Sequence, residues 1–108
     1  MTKLIVSPMA RADMREIGDH IAHELRNPEA ARRQILRIQE AVLPLQEFPE
    51  MGSPLLTAGK PGILYRYLVC GNYLIFYYSG VEAVYIARVL YGRRDYMALL
   101  FGDQITEE

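Results

Sequence analysis

The side chains best able to do chemistry lie between Gly62 and Tyr96. This stretch carries Arg66, Arg88, Arg93 and Arg94, with Lys60 just before it, and it holds every one of the chain's 8 tyrosines. Arginines interleaved with tyrosines suit an anionic partner, because a guanidinium pairs with phosphate or carboxylate and an aromatic ring stacks beside it. What the set can do depends on which side chains share a face. The strand formers come in three runs, Ile63–Cys70, Tyr73–Tyr78 and Ala83–Leu90, with Gly71-Asn72 between the first two and a turn around Gly80 between the others. β-Branched and aromatic residues suit a pleated surface, and Gly-Asn supplies the positive φ of a tight hairpin, so a three-stranded antiparallel meander is expected.

A two-residue loop at Gly71-Asn72 pairs Cys70 with Tyr73 and sets Arg66 opposite Tyr77. A second loop of even length sets Tyr77 opposite Val84 and Tyr73 opposite Arg88. Cross-strand partners share a face, so Arg66, Tyr77, Tyr73 and Arg88 would lie together. The two arginine rows would then be about 13 Å apart, a gap that a phosphodiester chain or an acidic peptide can span. A second loop of odd length would turn Arg88 to the other face.

The elements that position this sheet precede it. Lys3–Val6 is a short apolar strand expected at a sheet edge. Ser7-Pro8 opens a helix, with serine as cap and proline in the first turn. Ala10, Met14, Ile17, Ile21 and Leu25 form its apolar stripe, while Arg11, Arg15, Asp19 and Glu24 take other faces. Asn27-Pro28 ends this helix and caps a second, whose stripe is Ala31, Ile35, Ile38, Val42 and Leu45. The expected fold is α+β, a small antiparallel sheet of the N-terminal strand plus the meander, with a two-helix hairpin on one face. The Pro- and Gly-rich segment from Phe48 to Gly62 reads as a loop. After Gly92 breaks the last strand, Asp95 caps a short helix carrying Met97, Leu100 and Phe101.

At 108 residues the chain reads as one domain, 1–108, with a modest core. The net charge of −1 speaks against binding nucleic acid mainly through phosphate charge. From Lys60 to Arg94, however, five basic residues face one acid, Glu82, so a local cationic patch is expected. No apolar run is long enough to span a membrane, and Met1–Ala10 is not a signal peptide. The single cysteine, Cys70, fits a cytoplasmic protein and a small core residue better than a nucleophile. His20 and His23 share a helix without an evident third ligand, so neither a metal nor another cofactor is expected. Arg32, Arg33 and Arg37 read as a solvated helix face, with Glu29 able to pair with Arg33.

The order of elements, with Tyr65-Arg66, the Tyr73–Tyr77 strand and Arg88–Asp95, resembles the RelE/ParE superfamily of toxins from bacterial toxin–antitoxin modules. The likeness extends over nearly the whole chain, although many relatives have histidine where this chain has Tyr91. The resemblance implies a small toxin neutralised by a cognate antitoxin. It also implies one of two targets: DNA gyrase, poisoned without nuclease chemistry, or the ribosome, on which messenger RNA is cut. RNA cleavage without a metal needs a base for the 2′-hydroxyl, an acid for the leaving 5′-oxygen, and cations for the phosphorane charge.

On the nuclease branch Arg66 and Arg88 would hold the phosphate, with Tyr91 or Tyr96 as the acid. Lys60, Glu47 and Glu50 are the remaining and remote candidates for the base, and an ordinary lysine titrates near pH 10. On either branch Lys60, Tyr73, Tyr77, Arg93 and Arg94 are candidates for binding target or antitoxin. The absent histidine and sparse lysines favour the gyrase branch. The ribosome-dependent nuclease is the alternative, and an inactive relative that only binds antitoxin is a third reading. Plainer roles stand beside these. Tyr65, Tyr67, Tyr78 and Tyr85 would pack the sheet, Arg66 would pack between tyrosines, and Arg93 and Arg94 would meet an acidic antitoxin or Asp95.

Overall fold

Ser7 turns the chain from its first strand into its first helix. In the computed structural model, which describes residues 2–55 and 63–92, its hydroxyl accepts the amide of Ala10 at 3.0 Å and donates to the Ala87 carbonyl at 2.9 Å. β1 (Lys3–Val6) thus leads into α1 (Pro8–Asp19), with Pro8 in the first turn. A π-helical turn, His20–Glu24, continues α1. Its wider bonding changes the angular phase of the side chains. Ala10, Ile17 and Ile21 are buried as the stripe requires, whereas Leu25, just past the π turn, is 62% exposed. Asn27 accepts the amide of Ala30 at 3.0 Å and opens α2 (Pro28–Val42). Ala31, Ile38, Val42 and Leu45 enter the core, while Ile35 is half-buried.

Four further strands follow: β2 (Ser53–Pro54), β3 (Arg66–Cys70), β4 (Tyr73–Ser79) and β5 (Ala83–Tyr91). The sheet order is β1-β5-β4-β3-β2. The meander is antiparallel as expected, and Gly71 turns it at φ +62° with Cys70 paired to Tyr73. β1 takes an edge but runs parallel to β5, so the sheet is mixed rather than wholly antiparallel. The direction follows from the connection: β1 enters the sheet ahead of the helical hairpin instead of turning back on a neighbouring strand.

The second hairpin departs from the expected register. Ser79 pairs with Val84, and Tyr77 with Ile86 rather than Val84. A bulge then slips the pairing by one residue, so Phe76 meets Arg88 and Tyr73 meets Tyr91. Arg88 is therefore not the partner of Tyr73, and the expected single face of Arg66, Tyr77, Tyr73 and Arg88 is not formed. An unpaired residue in one strand reverses the alternation beyond it.

The helices cover one face of the sheet, where Ile75, Tyr77, Val84, Ile86 and Val89 join the helical stripes. The alternate residues form an aromatic row. Tyr67 lies 6.2 Å from Phe76, Tyr78 stacks on Tyr85 at 5.2 Å, and Tyr65 meets Tyr78 edge-on at 5.4 Å. These four tyrosines pack the sheet.

Candidate functional site

The bulge decides where Arg88 goes. β1 stops pairing at Val6↔Ile86, so the rest of β5 has α1 along its edge instead of a strand. Asp13 of α1 serves that edge. Its carboxylate accepts the Val89 amide at 2.9 Å and takes the Arg88 guanidinium by two bonds, Nε to Oδ2 and Nη2 to Oδ1, each 2.8 Å. Both side chains are nearly enclosed, 13% exposed for Arg88 and 7% for Asp13. The Asp13 hydrogen bonds hold the Arg88 pKa above its ordinary value against the opposing effect of burial, and Glu16 adds to the rise. The guanidinium fork that was to meet a phosphate is thus occupied by a carboxylate of the same geometry.

Arg66 does pair with Tyr77, but the two face inward. Tyr77 is fully buried, and its hydroxyl accepts the Gly52 amide at 2.8 Å and donates to the Pro49 carbonyl at 2.9 Å. Arg66 Nη1 donates to the Gly52 carbonyl at 2.9 Å and to that of Glu50 at 3.4 Å. Together they clasp the turn after α2 to the sheet. The fit requires glycine at position 52, since a Cβ there would stand 2.6 Å from the Tyr77 hydroxyl and 2.8 Å from the Tyr67 carbonyl oxygen. Burial raises the Tyr77 pKa, with the Gly52 amide and Arg66 pulling the other way. Tyr77 offers no surface to a partner.

Tyr73 and Tyr91 meet across the strands, rings 5.9 Å apart and edge-on. Burial, and secondarily Tyr91, raises the Tyr73 pKa. Tyr91 is 38% exposed. The pair forms one wall of a cleft of about 1050 Å³, and Asp13, Glu16, Asp19 and Glu24 line the other side. His20 and His23 also border it, and His20 Nδ1 lies 3.3 Å from Glu24 at the surface. Among the described residues no three metal-ligating side chains come together.

The fold therefore brings Tyr73 and Tyr91 to one cleft with Asp13, an acid that the sequence reading passed over and that holds Arg88. A signal for it existed, because Asp13 falls between Ala10 and Ile17 on the buried stripe of α1. Arg66 is placed elsewhere, in the clasp. Lys60, Arg93, Arg94, Tyr96 and the helix expected after Asp95 lie outside the described residues. Cys70 is buried, which raises its thiol pKa against the pull of Arg37 and suits a core residue.

Comparison with known proteins places these features in a family context. The family model described as ParE toxin of type II toxin-antitoxin system, parDE, matches residues 4–96. Among solved structures, the chain is similar to one titled chromosomal ParDE TA system from P. aeruginosa, with a TM-score of 0.70 and 27% identity. That alignment covers 84% of this chain and 96% of the other. No curated protein matches.

Proposed function

This chain belongs to the ParE toxin family of type II toxin–antitoxin systems, and from that premise we propose that it arrests growth in the cytoplasm by a ParE-like action on DNA gyrase, without cutting RNA. A cognate antitoxin holds it in check. The observation that carries this reading is the closed ion pair of Arg88 with Asp13. A nuclease needs cationic charge where the phosphorane forms. Here Arg88 is already matched by the Asp13 carboxylate, and Asp13, Glu16, Asp19 and Glu24 line the cleft that Tyr91 borders. An incoming phosphodiester would add charge of the same sign as the wall. Tyr73 gives no base either, because its pKa moves up, away from neutrality.

The test is a pulse-label after induced expression in a bacterial host, following DNA and protein synthesis together, with purified gyrase and RNA-cleavage assays in parallel. Early loss of DNA synthesis, stabilised gyrase–DNA cleavage complexes and intact messenger RNA are expected. Early loss of protein synthesis with cut messenger RNA would overturn the reading in favour of the ribosome-dependent nuclease. Absence of any arrest would overturn it in favour of an inactive antitoxin binder.

A further inference from the structure

α2 buries one face and leaves the other open. Ala31, Ile38 and Val42 turn the first toward the core. At 3.6 residues per turn Leu36 lies on nearly the opposite side, with Arg33 and Glu40 beside it there. That side of an amphipathic helix is ordinarily polar. Here Leu36 is 53% exposed, and Leu43, just past the last turn, is 55% exposed. Arg33 and Glu40 are exposed as well. Neither has an oppositely charged side chain within ion-pair distance among the described residues. Arg32, next to them, is met by Glu29 at 3.4 Å, with both side chains largely exposed.

The spacing is self-complementary. Arg33 precedes Leu36 by three residues and Glu40 follows it by four, about 4.5 and 6 Å along the helix axis. Both charges stand to the same side of the leucine. A second α2 turned end over end about a two-fold axis at Leu36 sets the two leucines against each other. Each Arg33 then comes level with the other copy's Glu40 to within about 1.5 Å of rise. Arg32 faces Gln39, and Leu43 reaches the first turn of the opposite helix. One patch thus serves both copies, which is the condition for an isologous dimer. Unlike charges around one apolar residue also disfavour other occupants, because an acidic segment or a phosphate chain meets Glu40 and a basic segment meets Arg33.

We propose that two copies of this chain associate through the outward face of α2, antiparallel about Leu36, with Arg33 of each paired to Glu40 of the other. The inference stands whichever target the toxin has. A single pair of helices buries less than the roughly 1,200 Å² of a standard interface, so the dimer is weak and depends on concentration.

Sedimentation velocity on the purified full chain, over a concentration series, measures the association. Leu36→Glu should abolish it. Arg33→Glu and Glu40→Arg should each weaken it at least about tenfold, because each sets like charges opposite one another at both ends of the interface. Circular dichroism confirms that changes at these exposed positions leave the fold intact. The deciding arm mixes the two charge variants in equal amounts. In a mixed pair every reversed charge meets its opposite, so association should return to the wild-type range, and the Arg33→Glu/Glu40→Arg double variant should self-associate likewise. A wild-type chain that stays monomeric throughout the series would overturn the proposal. A dimer indifferent to Leu36→Glu would place the interface elsewhere and overturn it too. A mixture no more associated than its components would remove the pairing of Arg33 with Glu40. A monomeric chain whose antitoxin binding is lost in folded Leu36→Glu would give this face to the antitoxin instead of a second copy.

Discussion

Asp13 and Arg88 show how one residue pair changes what a site can do. Asp13 is 6% exposed and satisfies both a guanidinium and the Val89 amide. Arg88→Ala leaves that carboxylate buried without its cation, so it should lower unfolding stability by about 3 kcal/mol, the scale on which breaking an enclosed pair is felt. Denaturant titration measures this, and an unaltered midpoint would mean that the pair contributes little. A loss of toxicity in Arg88→Ala therefore has to be read against its folded fraction. Tyr77 makes a second case. Tyr77→Phe orphans the Gly52 amide and the Pro49 carbonyl, and about 1–3 kcal/mol should be lost. The tyrosine pKa shifts set a pH limit as well. Tyr65, Tyr73 and Tyr77 all titrate above their ordinary value of 10.0 when folded, chiefly through burial. A raised folded pKa means stability that is whole below the unfolded value and is lost as pH climbs through the folded one. The buried Cys70 thiol, also raised from 9.0, adds to this, so melting temperature should hold steady from neutrality to about pH 9, begin to fall there, and fall more steeply above about pH 10 in step with tyrosinate absorbance.

At the scale of elements, much of the architecture was legible and one part was not. Ser7-Pro8 and Asn27-Pro28 announced both helix starts, and Gly71-Asn72 announced the first hairpin with its register, because each is a local chemical signal. The bulge in β5 was not legible. Ile86, Ala87 and Arg88 are ordinary strand residues, and nothing in their types marks an extra one. The slip follows from long-range partners instead, since Ser7 holds the Ile86 and Ala87 carbonyls and Asp13 holds the Val89 amide. The π turn was equally hidden, so the stripe was extended one residue too far, to Leu25. Gly18 offers a test of the helix hairpin. It sits inside α1, and an added Cβ would meet only Ile35 at an ordinary 3.7 Å. Gly18→Ala should therefore stabilise the fold by up to about 1 kcal/mol through helix propensity. A fall in melting temperature would show that the two helices have no room there.

Across the whole molecule, the local and remote parts of the sheet are joined late in sequence terms. The meander from β3 to β5 needs only short loops between its last three strands, whereas β1 pairs Lys3 with Ala83 and Val6 with Ile86. Closing so long a loop costs entropy before any contact compensates for it, which slows chains dominated by remote pairing. The helices stand between these partners in sequence and must be roughly in place before the edge strand can dock. The meander and α2 are thus the natural nucleus, and β1 the element that arrives afterwards. Leu4 is a half-buried β1 residue packed against the core. Leu4→Ala should speed unfolding in proportion to its stability loss and change the folding rate by less than about twofold, the pattern of a contact made after the transition state. Stopped-flow chevrons decide it. A folding limb that drops by the full stability loss would place β1 docking inside the barrier, and with it the Ser7 and Asp13 contacts that fix the bulge.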